Sequence, residues 1–313
     1  MEDNTNLYPS KPKLREKETK NKWSITFLSL VVFVISFLIL FSENIQFLLF
    51  LILVLFIHEL GHFLFMKLFH YSNVRMMFVP LMGAFVQGAK KVYSQKESFL
   101  VVLGGPIPGV FLGVVGAIFA FQYQINWMLE LSAVFILLNM INLLPLDPLD
   151  GGQLFRLLVK YDHDLFLMIF SLVSSIILIS VGYFIDSWPL MVFGFLMSFR
   201  VRSIQKRFLV RKALKDQDIA YKMSYDELSD VEYSRIRSVV VHQNPSLQKY
   251  KELGNSNTDR IIAEHVNTVL EIPLIQDTGL IFKVVVVLFW LLSFVAPVYL
   301  FMEYGGRFGW YFI

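Results

Sequence analysis

Long apolar runs separated by short polar breaks dominate the pattern of hydrophobic and polar positions. A run of about 18 or more apolar residues is long enough to cross a bilayer as a helix. The predicted spans cover residues 23–41, 45–69, 98–121, 125–144, 165–184, 188–199 and 280–301. The pattern therefore predicts an all-α polytopic membrane protein with about six to seven transmembrane helices.

Residues 71–95 interrupt this pattern. The stretch from Val74 to Gln87 is apolar but contains proline and glycine, and it is too short for a spanning helix. Two short strands with a turn near Pro80 to Gly83 fit it better, and an interfacial loop is the alternative. Non-helical backbone at membrane depth is tolerated only where it is buried in protein or lines a cavity. We therefore expect a small membrane-embedded β-hairpin beside a water-filled site.

Charged residues are scarce and clustered. The 313 residues are 56% hydrophobic and 17% charged, whereas soluble domains carry about 25% charged residues. Basic residues concentrate in residues 1–22 and in the tract after Phe199. The positive-inside rule places both tracts on the cytoplasmic side. We expect no removable signal peptide after the first tract, and we interpret the basic residues as topology signals rather than a nucleic-acid surface.

The pattern and the charges divide the chain into four regions. They are a cytoplasmic basic tail (1–22), a membrane domain (23–200), a cytoplasmic, mostly helical segment (201–277), and a C-terminal transmembrane helix with a tail (278–313). The third span contains two prolines and three glycines between Gly104 and Gly109. Such residues disrupt a helix locally and let backbones approach closely.

The second span contains a cluster of polar residues, His58, Glu59 and His62. On a helix, His-Glu-x-x-His puts two imidazoles one turn apart on one face, which suits two ligands of one zinc ion with the glutamate aimed at water. Polar residues in a membrane span cost about 2 kcal/mol or more each without partners, which favours a functional reading. Because the chain has no cysteine, any metal must use histidine and carboxylate ligands.

A catalytic zinc needs a third protein ligand and one open position. Asp147 and Asp150 are the acids in the loop after the fourth span, on the same predicted side of the membrane. We favour Asp150, because Gly151 lets the backbone approach closely, whereas Asp147 is flanked by Pro148 and is expected nearer the interface. The remaining histidines fit no ligand spacing and are interpreted as surface or packing residues. They are His70, His163, His242 and His265.

These residues resemble three motifs of one family. The motifs are His58-Glu59-Leu60-Gly61-His62, then Gly105-x-x-x-Gly109, then Asn142-x-x-Pro145-x-x-x-x-Asp150-Gly151. In order and approximate spacing they look like those of the site-2 protease family (M50 peptidases), which are intramembrane zinc metalloproteases. The resemblance covers about residues 45–155, which would be the catalytic core of the membrane domain, and three motifs agree.

The resemblance implies roles for these positions. His58, His62 and Asp150 would bind one zinc ion, and Glu59 would be the general base. Asn142 would hold the substrate or stabilise the oxyanion. The backbone around the site would be formed by Gly105, Gly109, Pro145 and Gly151. The hairpin would match a membrane-embedded sheet on which an extended substrate segment pairs.

The resemblance also implies a function: zinc-dependent endopeptidase activity in or near transmembrane segments, either in regulated intramembrane proteolysis or in removal of signal-peptide remnants. The substrate would be a single-pass membrane protein or a signal peptide, and the location a bacterial cytoplasmic membrane. A regulatory membrane partner and self-association are compatible with the sequence. A non-catalytic zinc scaffold and a metal or solute transporter are the alternatives.

The chain departs from many relatives by showing no recognisable PDZ or CBS domain, and by Gly109 where many have asparagine.

Overall fold

The structure is a computed structural model that describes residues 10–14, 22–40, 44–79, 83–158, 163–248 and 256–308. Most of these residues are helical, as the hydropathy pattern predicts. The elements in chain order are α1 (Lys22–Leu40), α2 (Ile45–Leu68), β1 (Ser72–Val79), β2 (Gly83–Ala89), β3 (Tyr93–Ser94), α3 (Gln95–Leu103), α4 (Pro106–Tyr123), α5 (Asn126–Asn142), α6 (Asp150–Leu158), α7 (His163–Phe184), α8 (Trp188–Asp216), α9 (Asp230–Gln243), α10 (Ser256–Val269), β4 (Leu274–Ile275) and α11 (Leu280–Phe308).

Apolar helices make up the membrane part. Among the described residues, four helices are long and apolar enough to cross a bilayer, and two shorter apolar helices accompany them. The long ones cover Ile45–Leu68, Gln95–Tyr123, Asp164–Phe184 and Leu280–Tyr304, and the short ones cover Ser24–Ile39 and Asn126–Asn142. The polytopic helical fold predicted from the sequence is therefore confirmed.

Helix α8 differs from the predicted sixth span. It continues for 29 residues from Trp188 to Asp216, well beyond the apolar stretch 188–199. No proline or glycine follows Gly194 within the helix, so nothing in the backbone stops it where the basic tract begins. The predicted boundary at residue 200 thus lies inside a helix, and α8 joins the membrane part to the segment that follows.

The predicted hairpin is present, which excludes the interfacial loop. Strands β1 and β2 pair antiparallel, with Met76 opposite Val86 and Phe78 opposite Ala84. Most of the predicted turn, residues 80–82, lies outside the described residues.

Helix α1 covers the outer edge of β1. The Thr26 hydroxyl donates to the Met76 carbonyl at 2.7 Å, and the Phe78 N–H donates to the Ser29 hydroxyl at 3.2 Å. An exposed strand edge offers unpaired N–H and C=O groups to another chain. Because α1 occupies the β1 edge, the edge of the sheet that remains for a further strand is that of β2.

The segment after α8 folds around a core of its own. The second half of α8, α9 and α10 share buried side chains, including Leu214, Tyr233, Ile236, Ile262 and Val266. We call residues 201–270 the C-terminal helical domain.

Residues of the predicted N-terminal tail dock onto the C-terminal helical domain. The Lys11 ammonium donates to the carbonyls of Tyr225, Asp226 and Leu228 at 2.7–3.2 Å. The Tyr225 hydroxyl donates in return to the Pro12 carbonyl at 2.8 Å. Of the tail 1–22, residues 1–9 and 15–21 lie outside the described residues.

Arg211 ties the C-terminal helical domain to the membrane helices. Its side chain is buried on α8, and it donates to both carboxylate oxygens of Asp164, at the start of α7, at 2.8 and 3.0 Å. It also donates to the Val269 and Leu270 carbonyls at 2.8 and 3.0 Å. A buried ion pair of this kind is costly to break, because removing one partner leaves the other charge buried without compensation.

Replacing Arg211 by methionine is expected to destabilise the folded chain by about 3 kcal/mol, because Asp164 and two carbonyls lose their donor in a buried place. The measurement is the denaturation midpoint of the purified full chain in detergent. Lys212→Met is the matched control, since the neighbouring side chain is exposed and should change stability little. Equal midpoints for the two variants would contradict this account.

Candidate metal centre

Helix α2 supplies three of the four residues at the centre of the site. His58, Glu59 and His62 are all buried, with 3–8% of each residue exposed. A helical turn separates the two histidines, and their rings lie 4.8 Å apart between centroids. The His-Glu-x-x-His spacing therefore produces the common face that it predicts.

The break between α3 and α4 fits against this face of α2. A Cβ atom added to Gly61 would lie 2.0 Å from the Gly104 carbonyl oxygen, and one added to Gly105 would lie 2.3 Å from His62 Nε2. Gly109 is equally tight, since its Cβ would lie 2.2 Å from Asn139 Nδ2. Glycine at these positions lets the backbone of the broken span approach the histidines within contact distance.

Asp150 reaches the histidines from the first turn of α6. Its Oδ2 lies 3.0 Å from His58 Nε2 and 3.2 Å from His62 Nε2, and the two Nε2 atoms are 3.1 Å apart. The next two glycines permit this position, because Cβ atoms there would lie 1.9 Å from the Leu143 carbonyl oxygen and 2.3 Å from that of Leu146. His58, His62 and Asp150 together can hold a metal ion.

Hydrogen bonds on the far side of each imidazole set its tautomer. His62 Nδ1 lies 2.7 Å from the Val101 carbonyl, which can only accept, so this nitrogen carries the proton. His58 Nδ1 lies 2.7 Å from Asn139 Oδ1, and the Asn139 amide nitrogen donates to the Phe135 carbonyl at 2.7 Å. The assigned amide orientation therefore makes His58 Nδ1 a donor as well.

The unprotonated atoms of this cluster all face one another. With both Nδ1 atoms protonated, the two neutral rings turn Nε2 lone pairs towards Asp150 Oδ2, a buried atom with no hydrogen-bond partner among the described residues. Three acceptors at 3.0–3.2 Å with no proton between them repel one another unless a cation lies among them. The donor set of two histidines and one carboxylate suits zinc, and a second hydrogen bond from each ligating histidine is the usual arrangement at zinc sites. The residues present therefore fit a zinc ion.

Glu59 stands beside this cluster without joining it. It is 5% exposed, and its Oε2 has no hydrogen-bond partner among the described residues. The carboxylate lies beside the backbone of Val86 in strand β2, and it is close enough to interact electrostatically with His58, His62 and Asp150. One buried oxygen is thus left free next to the metal-binding atoms, at the hairpin.

Asn139 is a site residue that the sequence analysis missed. It is fully buried on α5 and holds His58, whereas the predicted Asn142 is half-buried at the end of the same helix and Pro145 is exposed in the loop that follows. The available signal was a lone amide inside an apolar span, where unpartnered polar groups are costly. The substrate role expected for Asn142 stays a prediction.

The burial of Asp147 and of the remaining histidines can be compared with the expectations from the sequence. Asp147 is 2% exposed and engaged in ion pairs with Arg156 and Arg200, whereas its expected position nearer the membrane interface stays a prediction. His70, His242 and His265 are exposed, as interpreted from the sequence. The side chain of His163 lies outside the described residues.

Comparison with known proteins finds similarity over part of the chain. Residues 46–132 match the family model Peptidase family M50, a stretch that includes His58, Glu59 and His62 and ends before Asp150. Stage IV sporulation protein FB of Bacillus subtilis (strain 168) is 31% identical over 149 residues, or 44% of this chain and 50% of that protein. The chain thus spans about half the length of the curated relative it matches.

A solved structure is also similar. The site-2 protease from Methanocaldococcus jannaschii shares 22% identity with a TM-score of 0.43, over 57% of this chain and 87% of that chain. A TM-score at this level supports no further statement about this chain.

Two buried histidines and a buried aspartate beside a buried glutamate, in a helical membrane protein, form a site that can hold a metal ion. Over residues 46–132 the chain is similar to peptidase family M50.

Replacing Gly105 by alanine is expected to lower zinc affinity by about 10- to 100-fold, because the new methyl group would collide with the lone-pair nitrogen of His62. The measurement is zinc affinity of the purified full chain by competition with a chelator. Gly279→Ala is the control, since nothing lies within 4 Å of a Cβ there. Wild-type affinity in Gly105→Ala would show that the metal does not bind at His62 Nε2.

Proposed function

We propose that this chain is an intramembrane zinc endopeptidase that cleaves peptide bonds in or near transmembrane segments of membrane-protein substrates. The observation that carries the proposal is the convergence of His58 Nε2, His62 Nε2 and Asp150 Oδ2, with the free carboxylate oxygen of Glu59 beside them. A site that only stored or sensed a metal would have no use for a buried, unpartnered carboxylate next to the ligands. That oxygen instead suits a general base.

Zinc would be held by His58, His62 and Asp150, and it would supply Lewis acidity that lowers the pKa of water and polarises a peptide carbonyl. Glu59 would accept the proton of the attacking water on Oε2 and pass it to the nitrogen of the departing amine. Glu59 lies beside the backbone of Val86, on the hairpin side of the site. Asn139 and the Val101 carbonyl hold the two imidazoles in the tautomer that binds a metal.

The substrate would add as an extended strand to the free edge of β2. A helical segment hides its carbonyls in its own hydrogen bonds, so it must unwind before hydrolysis, and strand addition supplies replacement hydrogen bonds. The antiparallel register supports the choice of edge, because outward-facing backbone groups alternate along a strand. The Met76 carbonyl and the Phe78 N–H of β1 point to α1. The backbone N–H and C=O groups of their partners in β2, Val86 and Ala84, therefore point away from β1, to the opposite edge of the hairpin. Val86 also touches Glu59, which brings this edge to the base.

Single-pass membrane proteins and signal-peptide remnants are the substrate classes that fit such an edge within a bilayer. The basic tracts favour an orientation with the N-terminus and residues 201–277 in the cytoplasm, and the similarity to a protein of Bacillus subtilis supports a bacterial cytoplasmic membrane. The docking of Lys11 on the C-terminal helical domain supports placing the N-terminal tail and this domain on the same side of the membrane, because the Lys11 ammonium donates to backbone carbonyls of the domain.

Glu59→Gln is expected to keep zinc bound while lowering cleavage of a co-expressed single-pass membrane substrate by about 10²–10⁴-fold, because the amide cannot accept the proton. The measurements are zinc content of the purified chain and the amount of cleaved substrate. Glu130→Gln is the control, since Glu130 on α5 accepts a hydrogen bond from the Gln46 side chain at the start of α2, away from the site. Retained cleavage in Glu59→Gln would exclude Glu59 as the base, and absence of zinc from the wild type would exclude the metal site.

A further inference from the structure

Asp147 is a buried carboxylate that the proposed reaction does not use. It is 2% exposed and lies in the loop between α5 and α6, three residues before the ligand Asp150. A buried carboxylate is costly unless it is paired and hydrogen-bonded. The partners of the Asp147 carboxylate therefore indicate its role in the structure.

Three helices hold the Asp147 carboxylate. Oδ1 lies 3.2 Å from Nη1 of Arg156 on α6, and Oδ2 lies 3.1 Å from Nε of Arg200 on α8. The Ser171 hydroxyl on α7 donates to Oδ2 at 2.6 Å, and the Asp147 N–H donates to the Ser174 hydroxyl at 3.0 Å. Every helix that follows the loop as far as α8 thus contributes to fixing this one residue.

The loop leaves little slack between Asp147 and the metal ligand. The Leu149 N–H donates to the Leu146 carbonyl at 2.8 Å, and the glycines after Asp150 touch the carbonyls of Leu143 and Leu146. The Leu143 carbonyl also accepts a hydrogen bond from Trp290 of α11 at 2.8 Å. Because the backbone is packed this tightly, a shift at Asp147 passes directly to Asp150.

The Arg200 side chain on α8 is 44% exposed, but the helix that carries it is anchored further along the chain. Arg200 shares α8 with Arg211, which is clamped between Asp164 and the carbonyls of Val269 and Leu270. The two positions are 11 residues apart, or about 16 Å along a helix at 1.5 Å per residue. The helix is therefore secured at the C-terminal helical domain while its earlier turn holds Asp147.

We propose that Asp147, clamped by Arg156, Ser171 and Arg200, is a positioning residue that holds Asp150 against His58 and His62. It binds no metal itself. It sets the place of the loop from which the third ligand projects. This inference rests on the metal site of the proposed function, because it concerns how Asp150 is held in position at that site.

The test measures zinc affinity of the purified full chain in detergent by competition with a chelator. Asp147→Asn is expected to lower the affinity about 10- to 100-fold, as loss of outer partners does at other zinc sites. Arg200→Gln should shift it in the same direction by a smaller factor, because Arg156 and Ser171 remain. The double variant should bind zinc no more weakly than Asp147→Asn, since both changes break one interaction.

Two matched controls separate this effect from a general change of charge. Asp186→Asn and Arg202→Gln remove the same charges from exposed side chains of the same helical region, and both should keep wild-type zinc affinity. The denaturation midpoint of each zinc-free variant is measured alongside. A purely structural role for Asp147 would lower the midpoint and leave zinc affinity unchanged.

Wild-type zinc affinity in Asp147→Asn would overturn the inference while the metal site stands. If Asp147→Asn does not purify as folded protein, Arg200→Gln decides: unchanged zinc affinity in that variant overturns the inference, and weakened affinity supports it. Failure of the wild type itself to bind zinc, with His58→Ala giving the same result, would overturn the proposed metal site and this inference with it.

Discussion

Three hydrogen-bond acceptors lie close together in the buried interior of a helical membrane protein, and the rest of the site depends on this arrangement. Two imidazole nitrogens and a carboxylate oxygen lie 3.0–3.2 Å from one another, with the ring protons committed to acceptors on the far side. Without a cation such an arrangement is electrostatically unfavourable. The surrounding helices must therefore be packed tightly enough to hold it together until a cation neutralises it.

This tight packing comes from the close approach of backbone segments to one another. At the break between α3 and α4, and again at the start of α6, glycines let main-chain atoms come where a methyl group would collide. A membrane offers little hydrophobic drive for helix association, so close packing and hydrogen bonds carry it. The same close approach admits an irregular hairpin at membrane depth, because its outer edge on one side is satisfied by hydroxyls of α1.

The sequence predicted the parts of the site that obey a local rule. The spacing of His58 and His62 follows from helix geometry, Asp150 from its position before two glycines, and the hairpin from its proline and glycine content. Asn139 was missed because it matches no motif, although a lone amide in an apolar span is itself a signal. The partners of Asp147 could not be predicted, because its pairing with Arg200 depends on how α8 packs, and no periodicity reports such a long-range contact.

The ligands of the site come from distant parts of the chain, two from α2 and one from the start of α6. During synthesis the first half of the membrane part can insert with its imidazoles in place while the third ligand has not yet been made. The centre can therefore form only after α6 has emerged and folded back, and its final packing is coupled to metal uptake. The order of the chain thus leaves a nascent copy without a complete metal site while its first helices enter the membrane.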